Sequence, residues 1–223
     1  VECTTSPGTS SSNKVTMTIL GVPNSDEDKL FKFDYQVPEI TDTVGETPWY
    51  GNTTLLIFGK YLGTDNVEDL DVKIGGVACL ELEVENEGEL KCVIPPGRGN
   101  QEIEVIVGSV SSKQGGGNKT FVTYAPPLVS RLELKYGPTY GNETVLISGE
   151  YLAHPKREEV GPAFDTEVTV AGVECVKVSV ISTEKVICEI PTAKPGPALF
   201  EVCGFGSCSV RNNNSIFTYE PPK

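Results

Sequence analysis

The sequence predicts an all-β protein made of tandem β-sandwiches. Three observations carry that expectation. A stretch is stated twice: Tyr50 to Leu62 reads YGNTTLLIFGKYL, and ninety positions later Tyr140 to Leu152 reads YGNETVLISGEYL. Short apolar runs separated by Gly, Pro and Asn turn signals fill the chain, with no convincing helical periodicity. Two cysteine pairs, Cys79/Cys92 and Cys175/Cys188, have the same spacing at matching places. A fixed period followed by matching landmarks is the signature of repeated structural units.

Offsets between landmarks set the units. Gly59 and Gly149 lie 90 apart, while Cys79 and Cys175, Cys92 and Cys188, and Pro95 and Pro191 each lie 96 apart. Tyr124 and Tyr219, inside FVTYAPP and IFTYEPP, lie 95 apart. The second copy thus gains six residues between Leu152 and Gly172 and then loses one. Cys3 lies 89 before Cys92, and Tyr35 and Pro38 lie 89 before Tyr124 and Pro127. Residues 1–38 therefore read as the end of a unit whose start is missing, 39–126 as one complete unit, and 127–223 as another. Each complete unit is large enough for its own small core.

In chain order, the partial unit opens with Cys3 and a Thr/Ser-rich loop through Ser12. An alternating strand around Val15 to Ile19 and a closing strand from Leu30 to Tyr35 follow. Two or three strands cannot bury a core alone, so this piece presupposes upstream sequence. Thr41 to Pro48 reads as a polar lead-in to the first key strand, in which Gly-Asn marks the turn. In the second copy of that strand, Val145 and Ile147 share one face and Thr144 and Ser148 the other. Val72 and Ile74 predict the next strand, and Cys79 to Ile94 a hairpin turning at Asn86-Glu87-Gly88. Ile103, Val105 and Val107 alternate with Glu102 and Glu104 in a half-buried strand. Ser111 to Asn118 is a Gly-rich tip, and Phe121 to Tyr124 closes the unit. Ala125-Pro126-Pro127 is a semi-rigid joint that predicts an elongated rod. The second unit repeats the course through Val168 to Val170, Cys175 to Ile190, Leu199 to Cys203 and Ile216 to Tyr219, with a single turn expected within Pro155 to Val160.

Composition bounds the function. The chain has 223 residues, 38% hydrophobic and 22% charged, with a net charge of −13. Such acidity argues against nucleic acid, which needs a basic stripe to neutralise phosphates. No run approaches eighteen apolar residues, so no membrane span is expected in this piece. It begins with Val and shows no signal peptide, as an excised or mature segment would. A single histidine, His154, leaves no nucleophile–base constellation, so no catalytic residue and no cofactor are expected. The Glu81, Glu83, Glu85 row alternates with Leu82 and Val84 and reads as the charged outer face of a strand, not as an acid–base or calcium site.

Twelve residues separate Cys79 from Cys92, and twelve separate Cys175 from Cys188. Each pair flanks a predicted hairpin, where facing residues come within disulfide reach. Cys203 and Cys208 bracket a tight turn that a third bridge would staple. Zinc would want clustered Cys-x-x-Cys or added histidines, which are lacking, so no metal site is expected. Cys3 is left for a cysteine about thirteen positions before its own place, by repeat symmetry. Three disulfides place a protein outside the cytosol. Four sequons agree: Asn52, Asn118, Asn142 and Asn213 form two repeat-equivalent pairs, each at a predicted turn or strand entrance, and are expected to carry N-linked glycans.

The ordered set of Gly141 to Gly149, Val168 to Cys175, Cys188 to Pro191 and Phe217 to Pro221 resembles the IPT/TIG domain, an immunoglobulin-like fold of plexins, the hepatocyte growth factor receptor and some transcription factors. That resemblance implies tandem immunoglobulin-like (IPT/TIG, E-set) β-sandwiches. One departure is that Asn52 and Asn142 stand where the family usually has a second glycine. The Asn/Thr/Ser-rich, cysteine-paired tandem units are most similar to the tiger family of social-amoeba cell-surface proteins. This implies adhesion and self-recognition between cells through a cell-surface protein partner, homophilic or heterophilic, with membrane attachment through a span outside this segment. Two other classes compete with this reading. Accessory domains of a secreted enzyme would share the fold, and a Rel-type transcription factor would need a basic DNA-facing loop and reduced thiols, neither of which appears. Partner contact is expected in the six-residue insertion, where AHPKREEVGPAFD replaces GTDNVED and gathers His154, Lys156, Arg157 and Phe164.

Overall fold

In a computed structural model the described residues are 13–23, 32–63, 70–115, 119–155 and 165–221. Among them there is no α-helix; short 3-10 turns at Ser112–Gly115 and Asn213–Ser215 are set among strands. The N-terminal piece contains β1 (Asn13–Lys14), β2 (Thr18–Ile19), β3 (Val22–Pro23) and β4 (Lys32–Phe33), with β1 paired to β4 and β2 to β3. The next repeat runs through β5 (Glu39–Val44), β6 (Thr54–Lys60), β7 (Leu70–Ile74), β8 (Val77–Ala78), β9 (Leu80–Asn86), β10 (Glu89–Val93), β11 (Gly99–Val107), β12 (Val110–Ser111) and β13 (Phe121–Tyr124). The last contains β14 (Leu128–Leu132), β15 (Tyr136–Pro138), β16 (Thr144–Glu150), β17 (Glu167–Val170), β18 (Val173–Glu174), β19 (Lys177–Ser182), β20 (Lys185–Glu189), β21 (Gly196–Gly204), β22 (Ser207–Cys208) and β23 (Ile216–Glu220).

The same topology appears twice. One sheet has the order β5-β6-β10-β9 in the first copy and β14-β16-β20-β19 in the second. The other has β12-β11-β7-β8, with β13 on β11, and in the second copy β15-β23-β21-β17-β18, with β22 on β21. Pairing is antiparallel except where β15 runs parallel to β23, an arrangement that the single Pro48–Ala125 bridge echoes in the first copy. By packing, the chain divides into two compact units. The first comprises Val1–Gly45, Thr54–Val93 and Glu102–Phe121; the second comprises Glu46–Thr53, Ile94–Gln101 and Val122–Lys223.

The key strands β6 and β16 explain the motif that is written twice. Gly51 and Asn52 have φ of 64° and 57°, and Gly141 and Asn142 have 74° and 65°, so both positions of each turn are left-handed. Gly and Asn are the residues that tolerate this. The turn is closed by the Asn52 amide donating to the Ile94 carbonyl at 2.9 Å and the Asn142 amide to the Ile190 carbonyl at 3.0 Å. Each strand then alternates: Leu55 and Ile57, or Val145 and Ile147, are buried, while the residues between them are not.

The glycine that ends each motif is set by an edge strand. A Cβ on Gly59 would run into the Glu39 carbonyl of β5, and one on Gly149 into the Leu128 carbonyl of β14. Both edge strands differ from the sequence expectation, which reads Thr41 to Pro48 as a lead-in and assigns no strand to 128–132. Their register explains it. Each carries a bulge, between Ile40 and Asp42 in β5 and between Val129 and Arg131 in β14. An extra residue breaks the two-residue alternation.

The core of the second repeat draws on both sheets: Val145, Ile147, Val186 and Cys188 from one, Val168, Val170, Phe200, Val202, Phe217 and Tyr219 from the other. Phe200 and Tyr219 each meet the Phe217 ring edge-to-face, with centroids 5.8 and 5.1 Å away. Tyr219 donates its hydroxyl proton to the Pro191 carbonyl at 2.9 Å, as Tyr124 does to the Pro95 carbonyl at 2.7 Å. The terminal Phe-x-Tyr and Cys-x-x-Pro motifs are therefore one device: a buried phenol that satisfies the carbonyl of the proline after the hairpin.

Candidate functional site

The chemistry-bearing residues of this chain are its cysteines, its sequons and its surface charges. The structure bonds Cys79 to Cys92, Cys175 to Cys188 and Cys203 to Cys208, with Cα atoms 5.8, 5.7 and 4.0 Å apart. The first two occupy the same place in their repeats. Cys79 and Cys175 follow β8 and β18, where the chain leaves one sheet for the hairpin of the other. Their amides still bond back to the first sheet, Cys79 to the Val72 carbonyl and Cys175 to that of Val168, at 2.7 and 2.9 Å. Cys92 and Cys188 lie fully buried in β10 and β20, beside the key strands. Each bridge thus staples the crossover between the two sheets of a sandwich. The third joins register partners on β21 and β22, across a turn in which Phe205 and Gly206 have φ of 49° and 72°.

Glu201, Cys203 and Cys208 bring their donor atoms within 4.8 Å of one another. Both sulfurs are committed to the disulfide, so neither is available as the thiolate a metal would need. The carboxylate row on β9 is exposed on the outer face while Leu82 and Val84 are half-buried. Lys91 on the neighbouring β10 reaches Glu83 at 2.6 Å and Glu85 at 3.6 Å, and the Glu83 hydrogen bond raises the lysine pKa. A second cluster joins Lys113 to Glu104 at 3.0 Å and to Glu102 at 3.5 Å, with Lys119 3.4 Å from Glu102. Hydrogen bonds from Ser111 and Lys113 hold the Glu104 carboxyl below its ordinary range. Glu83 and Glu85 are thus spent on cross-strand pairing with Lys91, and Glu102 and Glu104 on the lysines of the segment that follows β12.

Among the sequons, Asn52 and Asn142 are exposed at their turns, and the hydroxyl residues two places on, Thr54 and Thr144, are exposed at the first position of β6 and β16. Asn213 is exposed too, but its Ser215 is buried and its hydroxyl donates to the Asn212 carbonyl at 2.8 Å. Asn212 caps this short turn, accepting from the amides of Asn214 and Ser215 and donating to the Val129 carbonyl at 2.9 Å. Asn118 lies outside the described residues, as do Cys3 and the three expected contact residues Lys156, Arg157 and Phe164.

The fourth member of that group, His154, is described and differs from expectation. It does not stand at an exposed tip: it is 5% exposed, with its ring 5.6 Å from Tyr50. It belongs to an aromatic cluster in the second compact unit that sequence reasoning missed. Trp49, wholly buried, lies edge-to-face with Tyr50 at 5.4 Å and donates its indole proton to the Tyr151 carbonyl at 2.6 Å. Burial chiefly, then the charges of Tyr151 and Glu46, raises the Tyr50 pKa. Gly204 lies flat against the Trp49 ring, where a Cβ would collide. The only available signal was the rarity of the residues: the chain has a single Trp and a single His.

Among solved structures, the extracellular region of plexin A4 is similar over 82% of this chain and 18% of its own, at 20% identity and a TM-score of 0.39. A Bacteroides ovatus mixed-linkage glucan utilization protein in complex with a heptasaccharide is similar over 93% of this chain and 64% of its own, at 14% identity and a TM-score of 0.30. A surface glycan-binding protein from Prevotella bryantii covers 78% of this chain and 41% of its own, at 13% identity and a TM-score of 0.33. This chain thus spans less than a fifth of the plexin region it matches. The family profile of the IPT/TIG domain matches residues 38–124 and again 127–220. With most of its length matched, the chain belongs to the IPT/TIG domain family.

Proposed function

We propose that this chain is part of the extracellular portion of a cell-surface adhesion and recognition receptor, that it binds a protein on another cell, and that it takes no part in catalysis. The observation that carries the reading is the pair of repeat-equivalent disulfides at the sheet crossovers. Such bridges persist in oxidising compartments and are rare in the cytosol. Exposed sequons at Asn52 and Asn142 and the net charge of −13 support it. The resemblance to the tiger family supports the finer reading of self-recognition, with attachment through a span outside this chain. In this reading Lys156, Arg157 and Phe164 contact the partner, because the sequence around them is the main insertion between otherwise matching repeats.

The test is direct. Oxidised chain from a secretory host is coupled to fluorescent beads and mixed with uncoated beads, with one another, and with intact cells of the source organism. Clumping among coated beads identifies homophilic binding, and bead–cell adhesion without clumping identifies a heterophilic partner. Folded chain that does neither contradicts the proposal.

A further inference from the structure

The hairpin β21–β22 carries a disulfide that its counterpart in the first repeat does without. Cys203 pairs with Cys208 and Gly204 with Ser207; in the first repeat Ile106 pairs with Ser111 and Val107 with Val110, in the same register. A serine clips both hairpins in the same way. The Val105 amide donates to Ser112 Oγ at 3.1 Å, and the Val202 amide to Ser209 Oγ at 3.0 Å. Ladder and clip thus form in the first repeat with no covalent bond across them. The crossover bridges, by contrast, are present in both repeats.

Thiol–disulfide exchange begins with a thiolate that attacks one sulfur and expels the other. It is fast where the attacked sulfur is accessible and the expelled thiolate is tolerated. Cys208 is exposed and Cys203 half-buried. At the crossovers Cys79 and Cys175 are half-buried, and their partners Cys92 and Cys188 are wholly buried. Attack there would expel a thiolate opposite Leu55, or within the core that holds Val145 and Ile147. Such a thiolate is a poor leaving group, because apolar burial disfavours its charge. Attack at Cys208 expels Cys203 into a half-open site instead. The half-buried Glu201 carboxylate lies within 4.8 Å of both sulfurs. Its solvated charge opposes thiolates less than a dry core does, and it keeps the closed bridge as the resting form.

The bridge pins a turn against which two other residues of the second compact unit rest. A Cβ on Gly204 would collide with the Trp49 ring, and one on Gly206 would stand 2.9 Å from Arg98 Nη1. Between the two glycines Phe205 is left-handed, with φ of 49°. A bulky residue holds that conformation where its surroundings impose it, and the bridge is one such constraint. We propose that Cys203–Cys208 is a thiol–disulfide exchange site for an extracellular dithiol, and that opening it releases the turn from Trp49 while the crossover bridges stay closed. One thiolate of the dithiol attacks Cys208 Sγ, forming a mixed disulfide and expelling Cys203. The second thiol then attacks its own partner sulfur and expels Cys208. The dithiol leaves as a disulfide, and its two electrons and two protons remain on Cys203 and Cys208. This site rests on the extracellular reading for its oxidised starting state.

Trp49 is the single tryptophan of this chain, so its emission reports the turn. Oxidised 1–223 chain is treated with dithiothreitol near neutral pH and alkylated at intervals, and each cysteine peptide is followed by mass spectrometry. Cys203 and Cys208 should become alkylated roughly tenfold or more faster than the four crossover cysteines. Trp49 emission should shift to the red on the same timescale, with the far-UV β spectrum unchanged. The paired variant Cys203→Ser, Cys208→Ser should fold, keep both crossover bridges and show the shifted emission with no reductant. Crossover bridges that start closed and open first, or together with this one, would overturn this proposal alone. So would a Trp49 emission that ignores the opening, or a paired variant that does not fold. Crossover thiols already free in protein taken from its source would overturn the extracellular reading and this site with it.

Discussion

Two tyrosines show how single residues secure each repeat. Tyr124 and Tyr219 are buried, and each phenol is the hydrogen-bond partner of a proline carbonyl. Replacing either with Phe keeps the ring and leaves that carbonyl without its donor. Tyr124→Phe and Tyr219→Phe should each cost about 1–2 kcal/mol in urea unfolding, and the double variant should lose close to the sum, since the sites lie in separate repeats. Burial pushes the Tyr124 phenol up to about 12 from an ordinary value of 10.0. A raised pKa in the folded state means that its contribution is complete below pH 10.0 and is lost as pH rises through about 12. Unfolding midpoints measured from pH 9 to 12 should fall with rising pH, and Tyr124→Phe should flatten that slope. Gly149 is the other decisive position. Gly149→Ala drives a methyl group into the Leu128 carbonyl, and the variant should lose about 1–3 kcal/mol, the usual cost of overpacking; an unchanged midpoint would mean that β14 does not press against it.

The elements divide into those that the sequence announces and those it hides. The key strands, the inner hairpin strands β10 and β20, and the closing strands are readable, because buried residues recur at every second position along them. The edge strands are not. β5 buries almost nothing, so EITDTV carries no apolar row, and the bulge in β14 puts Val129 and Leu132 inward at a spacing of three. Trp49 and His154 were unreadable for another reason: their burial depends on contacts far along the chain, such as the indole bond to Tyr151. The cysteine spacing was readable because repetition made it so. The two crossover disulfides close short loops, so the paired replacement of Cys175 and Cys188 by Ala should cost roughly 3 kcal/mol by loop-closure entropy. Thermal unfolding of the oxidised variant would show it. A variant as stable as the parent would mean that the bridge constrains nothing.

At the level of the entire chain, an acidic surface and a stapled, sequon-bearing pair of IPT/TIG domains point to work outside the cell. Among the described residues no helix is long and apolar enough to cross a membrane. With a net charge of −13, the cations of the 156–164 insertion stand out, and an acidic partner patch would be steered toward them. Changing Lys156, Arg157 and Phe164 together to Ser should weaken partner binding at least tenfold, on the order of 1.4 kcal/mol or more, and the loss of the two charges should reduce the salt dependence of association. Unchanged affinity in a folded variant would leave the insertion a spacer. The extracellular assignment itself stands or falls on the oxidation state of the natural protein. Material taken from its source, alkylated at once and digested without reduction, should yield Cys79 linked to Cys92, Cys175 to Cys188 and Cys203 to Cys208, with no alkylated thiol at these six positions. Alkylated, free thiols there would place the chain in a reducing compartment and contradict the assignment.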